Sequence, residues 1–276
     1  MAAAGLMRIL FIGDVFGRPG RALLRSSLRR IVDRHAVDVV IANVENAAAG
    51  FGLTRDVGDE LLRLGVDAMT SGNHIWDRRE ALAYIEAEPR LLRPANYPAG
   101  VPGRGAMIAY TTGRRPVGIV NLMGRVFMPA VDDPFAAARR EVEALAATTR
   151  VIIVDFHAEA TSEKIAMGWF LDGSVTAVIG THTHVQTADE RVLPGGSAYI
   201  TDVGMTGPHE SIIGTDRESA LRRFLTGLPV RFEVATGDPR LHAVVIAADE
   251  DTGRAHTIER LSLTPADLGP GADGGA

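Results

Sequence analysis

A chain of 276 residues with 46% hydrophobic and 23% charged side chains has apolar material for a sizeable core and the charge content of an ordinary globular enzyme. Its net charge of -5 leaves no basic footprint for duplex nucleic acid, although a nucleotide substrate stays open because a bound metal supplies positive charge locally. There is no cysteine, so disulfides and thiolate metal sites are excluded and any metal must sit on His, Asp, Glu or Asn.

No apolar run approaches the roughly 18 residues of a membrane span. Residues 1–6 lack the basic start and long apolar core of a signal peptide, so a cytoplasmic protein is expected. Lys164 is the sole lysine among 29 basic residues, which reads as coding bias rather than function.

Residues 7–12 form a buried-strand pattern closed by Gly13-Asp14. After Arg18-Pro19-Gly20, residues 21–34 carry Leu23, Leu24, Leu28, Ile31 and Val32 at helical spacing. A second apolar strand over 38–44 ends in Glu45-Asn46, and a small, Gly-rich loop follows over 47–53. Thr54 suits the N-cap of a helix bearing Val57, Leu61, Leu62 and Leu64, stopped by Gly65. The third strand, 66–71, ends in Gly72-Asn73-His74, and Asp77 is expected to cap a helix reaching Glu86. This alternation predicts a mostly parallel sheet covered by helices.

Residues 106–112 and 116–122 predict a hairpin, and Pro134 opens a helix to residue 147. A buried strand over 151–156 ends at His157, and a short helix over 161–170 leads into a strand over 175–179. That strand runs out into Gly180-Thr181-His182-Thr183-His184. Residues 191–201 read as a hairpin turning at Pro194-Gly195-Gly196, 203–216 as a Gly-rich loop and 217–226 as a helix. Final strands are expected over 232–234, 241–247 and 256–262. The whole is read as one domain over 1–264 with two β layers, followed by a disordered Gly-, Pro-, Ala- and Asp-rich tail over 265–276.

The polar residues collect at strand ends. Asp14 ends the first strand, Glu45 the second, Asn73 and His74 the third, and His157, His182 and His184 two later ones. Open α/β sheets bind ligands outside the carboxyl ends of their strands, so these groups fall on one edge. If the backbone stays extended, His182 and His184 point the same way. One at a time, each has a plain structural reading: Asp14 as an N-cap, His157 as a satisfied core histidine, Asn73 as a turn residue. Five strand ends with the same chemistry are not well explained by five coincidences. Hard and borderline donors of this kind suit Mn, Fe, Zn or Co, and six or more of them suit two ions sharing a carboxylate.

Gly13-Asp14, Gly72-Asn73-His74, His157 and Gly180-Thr181-His182-Thr183-His184 resemble the motifs of the calcineurin-like metallophosphoesterases. Two departures are informative. Phe16 stands where that pattern has a histidine, and Glu45-Asn46 where it has a bridging Asp. With Asp155-Phe156-His157-Ala158-Glu159 and Gly207-Pro208-His209, these departures resemble the bacterial YmdB-type branch, over residues 7–262.

The resemblance implies an α/β metallophosphoesterase-like layered fold, central β layers flanked by helices, with the site at the C-terminal ends of the strands. It implies that Asp14, Asn46 and His184 hold one ion, that Asn73, His157 and His182 hold the other, and that Glu45 bridges both. His74 is then the general acid rather than a ligand. The implied cofactors are two transition-metal ions, Fe or Mn. The implied activity is hydrolysis of cyclic nucleotides, 2′,3′-cyclic and also 3′,5′-cyclic, by a metal-bridging hydroxide.

The expected partner is a small-molecule cyclic nucleotide or other phosphodiester; neither duplex nucleic acid nor membrane is expected, and a homo-oligomer is allowed. Two other functions share these residues: a phosphomonoesterase or nucleotidase, and a low-turnover regulatory module that binds a nucleotide or a protein. A spare histidine beside the ligands favours an enzyme. Thr181 or Thr183 is expected to orient ligands. Arg125 is read either as a phosphate-binding residue or as the partner of an acid, and His209 either as part of a substrate-covering loop or as a surface histidine. His35, His242 and His256 are assigned no chemistry.

Overall fold

The computed structural model describes residues 5–268. β1 (Leu6–Ile12) is apolar almost throughout because both of its faces are covered. Ile9 and Phe11 face a second sheet while Leu10 and Ile12 face helices, the alternation of a pleated strand. After the short β2 (Asp14–Val15) comes α1 (Gly17–His35). This helix begins at Gly17 rather than at residue 21, because Pro19 falls in the first turn, where its missing N–H has no intrahelical partner to lose. Leu23, Leu24, Leu28 and Ile31 are buried from it, each contributing about 1.5–3 kcal/mol relative to exposure.

β3 (Val39–Asn43) leads through the Gly-rich loop to α2 (Arg55–Arg63), where the Thr54 hydroxyl accepts the Val57 N–H at 3.3 Å. β4 (Ala68–Thr70) is followed by a single 3₁₀ turn (Asn73–Trp76) and α3 (Ala81–Ala87). Asp77 does not cap a helix as expected: it receives His74 Nδ1 at 2.8 Å, and the chain re-enters helix only at Ala81.

β5 (Ala106–Tyr110) and β6 (Pro116–Met123) make the expected hairpin. Asp133 then caps α4 (Pro134–Ala146), and β7 (Ile152–His157), α5 (Thr161–Leu171) and β8 (Ala177–Thr181) follow. β9 (Arg191–Val192) and β10 (Ala198–Ile200) pair antiparallel across the Pro194-Gly195-Gly196 turn. The remaining elements are β11 (Met205–Pro208), α6 (Arg217–Thr226), β12 (Pro239–Asp249), β13 (Ala255–Leu263) and α7 (Pro265–Leu268).

Two sheets result. One runs β2-β11-β12-β1-β3-β4, with β13 on β12; the other runs β5-β6-β7-β8-β10-β9. β1-β3-β4 and β6-β7-β8-β10 are parallel, as the alternation predicts. Met7, Ile9, Phe11, Ile119, Ile153 and Ile179 pack in the layer between the sheets. A helical layer covers each outer face, through Leu24, Leu28 and Leu61 on one side and Val142, Leu145 and Met167 on the other. The layered α/β architecture with helices outside two central sheets is therefore present.

Three further expectations need correction. The loop over 203–216 contains a strand, β11, parallel to β2 and antiparallel to β12. Residues 232–234 are not a strand; only Val234 bridges, to Thr215. The tail is helical over Pro265–Leu268, where Thr264 caps the turn and Leu268 is buried; the rest of the expected tail, 269–276, lies outside the described residues. Among the described residues, no helix is long and apolar enough to cross a membrane.

Candidate metal centre and active site

Parallel pairing within each sheet, and face-to-face packing of the two, bring the strand ends to one edge. Glu45 lies two residues past β3 and His157 closes β7, yet Glu45 Oε1 and His157 Nε2 are 3.0 Å apart. His157 Nε2 is also 3.0 Å from His182 Nδ1. Glu45, His157 and His182 thus present one ligand atom each within 4.8 Å of one another. On the other side of Glu45, Asn46 Nδ2 lies 3.4 Å from Glu45 Oε1 and 3.2 Å from His184 Nε2, which is 3.8 Å from Asp14 Oδ1. Six of the eight sequence-predicted residues, Asp14, Glu45, Asn46, His157, His182 and His184, therefore converge as two groups that meet at Glu45. Asn73 follows Gly72, whose backbone lies against the His157 ring, and His74 stands at the rim.

Two buried oxygens at these strand ends, Asp14 Oδ1 and Asn73 Oδ1, have no hydrogen-bond partner among the described residues. Unpaired buried acceptors cost about 1–3 kcal/mol each unless a cation or water meets them. The donor set is carboxylate, amide and imidazole, the chemistry of a divalent transition metal. The residues present fit such a group. Asn46 fits as well, because a half-turn of its amide brings the oxygen to the point its nitrogen occupies.

Electrostatics agree. Burial pushes the Glu45 carboxyl up, but the charge and hydrogen bond of His157 outweigh it and hold the group at about 2. Burial pushes His157 down, and Glu45 overrides this to hold it at about 9. Burial, then the neighbouring His157, lowers His182 to about 3. Burial raises Asp14 above the usual carboxylate range, against the pull of His184. A cation held by His157 would compete with its proton, so binding would be coupled to proton release.

The histidines are held from behind. His157 Nδ1 donates to the Thr181 hydroxyl at 2.9 Å, which donates to Asp155 Oδ1 at 2.7 Å; Asn43 Nδ2 donates to Asp155 Oδ2 at 3.1 Å. This relay turns Nε2 of His157 into the site, so Thr181 takes the orienting role expected of it. His182 Nε2 is 3.2 Å from Glu159, and His184 Nδ1 donates to the Ile213 carbonyl at 2.8 Å. Sequence reasoning gave Asp155 and Glu159 no role. The available signal for Asp155 was a carboxylate inside an otherwise apolar buried strand, which requires partners.

His182 and His184 do not lie on extended backbone. Their φ angles are +105° and +66°, so they converge from a tight turn rather than by strand alternation. Non-glycine residues in this region cost about 1–3 kcal/mol each, which surrounding contacts must offset. Thr183 between them is clamped instead of acting on a ligand: its N–H and hydroxyl both donate to Asp202 Oδ2, at 3.0 and 2.8 Å. Asp202 is fully buried and paired at 2.7 Å with Lys164, itself only 1% exposed.

Glycine appears where a side chain cannot fit. A Cβ on Gly72 would sit 2.1 Å from His157 Cδ2, and one on Gly180 would sit 1.8 Å from the Thr201 carbonyl oxygen. Gly72→Ala is expected to cost about 1–3 kcal/mol and displace the His157 ring. Thermal unfolding together with metal titration checks this; a variant with unchanged melting and metal affinity would contradict it.

His74 Nδ1 is fixed by Asp77, and its ring meets Phe51 edge-on at 5.4 Å. It lines a cavity of about 390 Å³ with Glu45, Glu159, His182 and His184. Phe16 packs edge-on against His184 at 5.6 Å. His209 is not among the cavity residues: it donates toward the Met205 carbonyl, and its ring lies tilted against His242 at 4.4 Å. Arg125 reaches Asp133 at 3.8 Å, the acid-pairing alternative.

Two sheets between helical layers, with a carboxylate–imidazole cluster on the strand-end edge, define a metallophosphoesterase fold. The family model described as YmdB-like protein matches residues 10–261, and the chain belongs to that family. It is 51% identical over 257 residues to a protein of Bacillus subtilis (strain 168) named 2′,3′-cyclic-nucleotide 2′-phosphodiesterase, covering 93% of this chain and 97% of the relative. A crystal structure of a hypothetical protein from Thermus thermophilus superposes with a TM-score of 0.87 at 46% identity, covering 94% of this chain and 99% of that one. A Mycoplasma pneumoniae structure described as a novel phosphatase gives a TM-score of 0.87 at 35% identity, covering 95% and 96%.

Proposed function

We propose that this protein is a dinuclear metal-dependent phosphodiesterase that hydrolyses 2′,3′-cyclic nucleotides and, secondarily, 3′,5′-cyclic ones. The observation that carries the reading is Glu45, a buried carboxylate with one ligand group on each side and His74 beside it. Asp14, Asn46 and His184 would hold one ion, and Asn73, His157 and His182 the other, with Glu45 shared. Fe or Mn suits these oxygen and nitrogen donors. The ions supply Lewis acidity toward phosphoryl oxygens and toward water.

The chain's own residues do the rest. The Thr181–Asp155 relay and the Asp202 clamp hold the imidazoles in place, so little reorganisation is needed when substrate arrives. His74 faces the cavity with Nδ1 held by Asp77, which leaves Nε2 to give a proton to the departing ribose oxygen. Its backbone N–H also donates to Glu45 Oε2 at 2.9 Å, tying the acid's position to the shared carboxylate.

The Mycoplasma pneumoniae phosphatase supports a second reading, a phosphomonoesterase on the same residues. Elemental analysis of protein purified without added metal, paired with turnover of 2′,3′-cyclic AMP, 3′,5′-cyclic AMP and a phosphomonoester, separates the two. Two ions per chain and fastest turnover of the 2′,3′-cyclic ester are expected. A single ion would overturn the dinuclear reading, and faster turnover of the monoester would favour the second.

A further inference from the structure

The cavity beside the cluster is unevenly built. Its lining combines the acids and histidines of the cluster with Phe16, Phe51, Phe232 and Ile213. The chain is poor in aromatics, 5% in all, yet three of its nine phenylalanines meet in this one cavity. Their settings differ. Phe16 is 3% exposed and sealed among Gly50, Gly207 and Gly214, each of which would crowd it if it bore a Cβ. It is part of the floor. Phe51 is half-buried and Phe232 is 40% exposed, so both keep accessible surface.

Those rings are not on loose loops. The turn carrying Phe51 is pinned by Arg78, whose guanidinium donates to the Phe51 and Ala48 carbonyls at 3.1 and 3.2 Å. The segment carrying Phe232 is held by Asp216 N–H to the Glu233 carbonyl at 2.8 Å and Ala235 N–H to the Gly214 carbonyl at 3.0 Å. The two segments abut, because a Cβ on Gly50 would lie 3.1 Å from Val234 Cγ2. Both rings thus line the same cavity on segments fixed by backbone contacts. Phe51 also touches His74, the residue proposed to protonate the leaving ribose oxygen.

We propose that Phe51 and Phe232 form a nucleobase subsite that binds the base of the substrate by stacking. The inference rests on the phosphodiesterase reading above and deepens it. With phosphate at the Glu45–His157–His182 cluster and the leaving oxygen at His74, the sugar's base extends toward Phe51. A cavity of about 390 Å³ is large enough for one nucleotide. Phenyl rings offer π faces and no hydrogen-bond donors or acceptors, so this subsite accepts every base and ranks them by stacking area, purines ahead of pyrimidines.

The test compares Phe232→Ala and Phe51→Ala with wild type on 2′,3′-cyclic AMP and on methyl riboside 2,3-cyclic phosphate, which has the ester and no base. Each variant is expected to raise KM for cyclic AMP about 10-fold, and the pair about 100-fold, with a several-fold smaller change on the base-free ester. Phe51→Trp should restore the cyclic AMP value. Equal losses on both esters, or no loss on cyclic AMP, would overturn the subsite. A second measurement stands apart from turnover: calorimetric binding of adenosine 3′-phosphate against ribose 3-phosphate. Wild type should prefer the nucleotide and Phe232→Ala should lose the preference; its retention would overturn the subsite. If wild type turns over neither ester, the phosphodiesterase reading fails while the binding comparison still decides the subsite.

Discussion

Glu45→Gln should lower metal affinity by roughly 10²–10³-fold, the scale of breaking a buried charged pair. Activity should fall at least as far. The substitution keeps the shape of the side chain and removes the charge shared by both proposed ions. It also leaves His157 and the His74 N–H facing an amide in place of a carboxylate, where they now find Oε1 at 3.0 Å and Oε2 at 2.9 Å. Asn46→Ala removes a neutral group proposed to hold only one ion and should cost about 10-fold, the lower end of what supporting groups of metal sites contribute. Metal content and kcat/KM measured on both variants decide the matter. Equal losses with both ions retained would count against a shared carboxylate.

His74→Ala should keep the metals and lose kcat. Its ring is anchored by Asp77 and Phe51, outside the two ligand groups, so removal leaves the cluster's contacts in place. A general acid contributes about 10²–10⁴-fold, and loss of a purely transition-state role lowers kcat and kcat/KM together. The loss should appear on a cyclic nucleotide, whose alkoxide leaving group needs a proton, and shrink sharply on a nitrophenyl ester, which does not need one. If His74 instead holds a metal, damage will be alike on both substrates and metal will be lost. An equal drop on both with full metal content would refute the acid role.

Much of the fold was legible because it follows from burial. The apolar strand around Leu10 and Phe11, the helical spacing of Leu24, Leu28 and Ile31, and the Thr54 cap each reflect a local rule that the tertiary structure obeys. The gathering of polar residues at strand ends was legible too, since parallel pairing sends Glu45 to one edge of its sheet and His157 and His182 to one edge of theirs; that the two edges meet depends on how the sheets pack. Whether each one holds metal is a separate matter, open to the experiments above.

What escaped has physical reasons. β11 contains Gly207 and Pro208, residues that signal loops, and exists because its backbone fits between β2 and β12. The turn that presents His182 and His184 cannot be told from an extended strand without Asp202, which lies far along the chain and clamps Thr183. Phe51 and Phe232 look like ordinary apolar loop residues until the fold brings them to one cavity.

The Lys164–Asp202 pair has a practical corollary. Because Lys164 is the sole lysine of the chain and is 1% exposed, amine-directed reagents meet no other side-chain target and cannot reach this one while the fold is closed. Asp202 ties that ammonium to the Thr183 turn. Acylation at Lys164, followed by mass spectrometry, therefore acts as a single-site clock for opening of the segment that carries His182 and His184. Its rate can be read without substrate, and any cation or nucleotide that braces the turn will slow it.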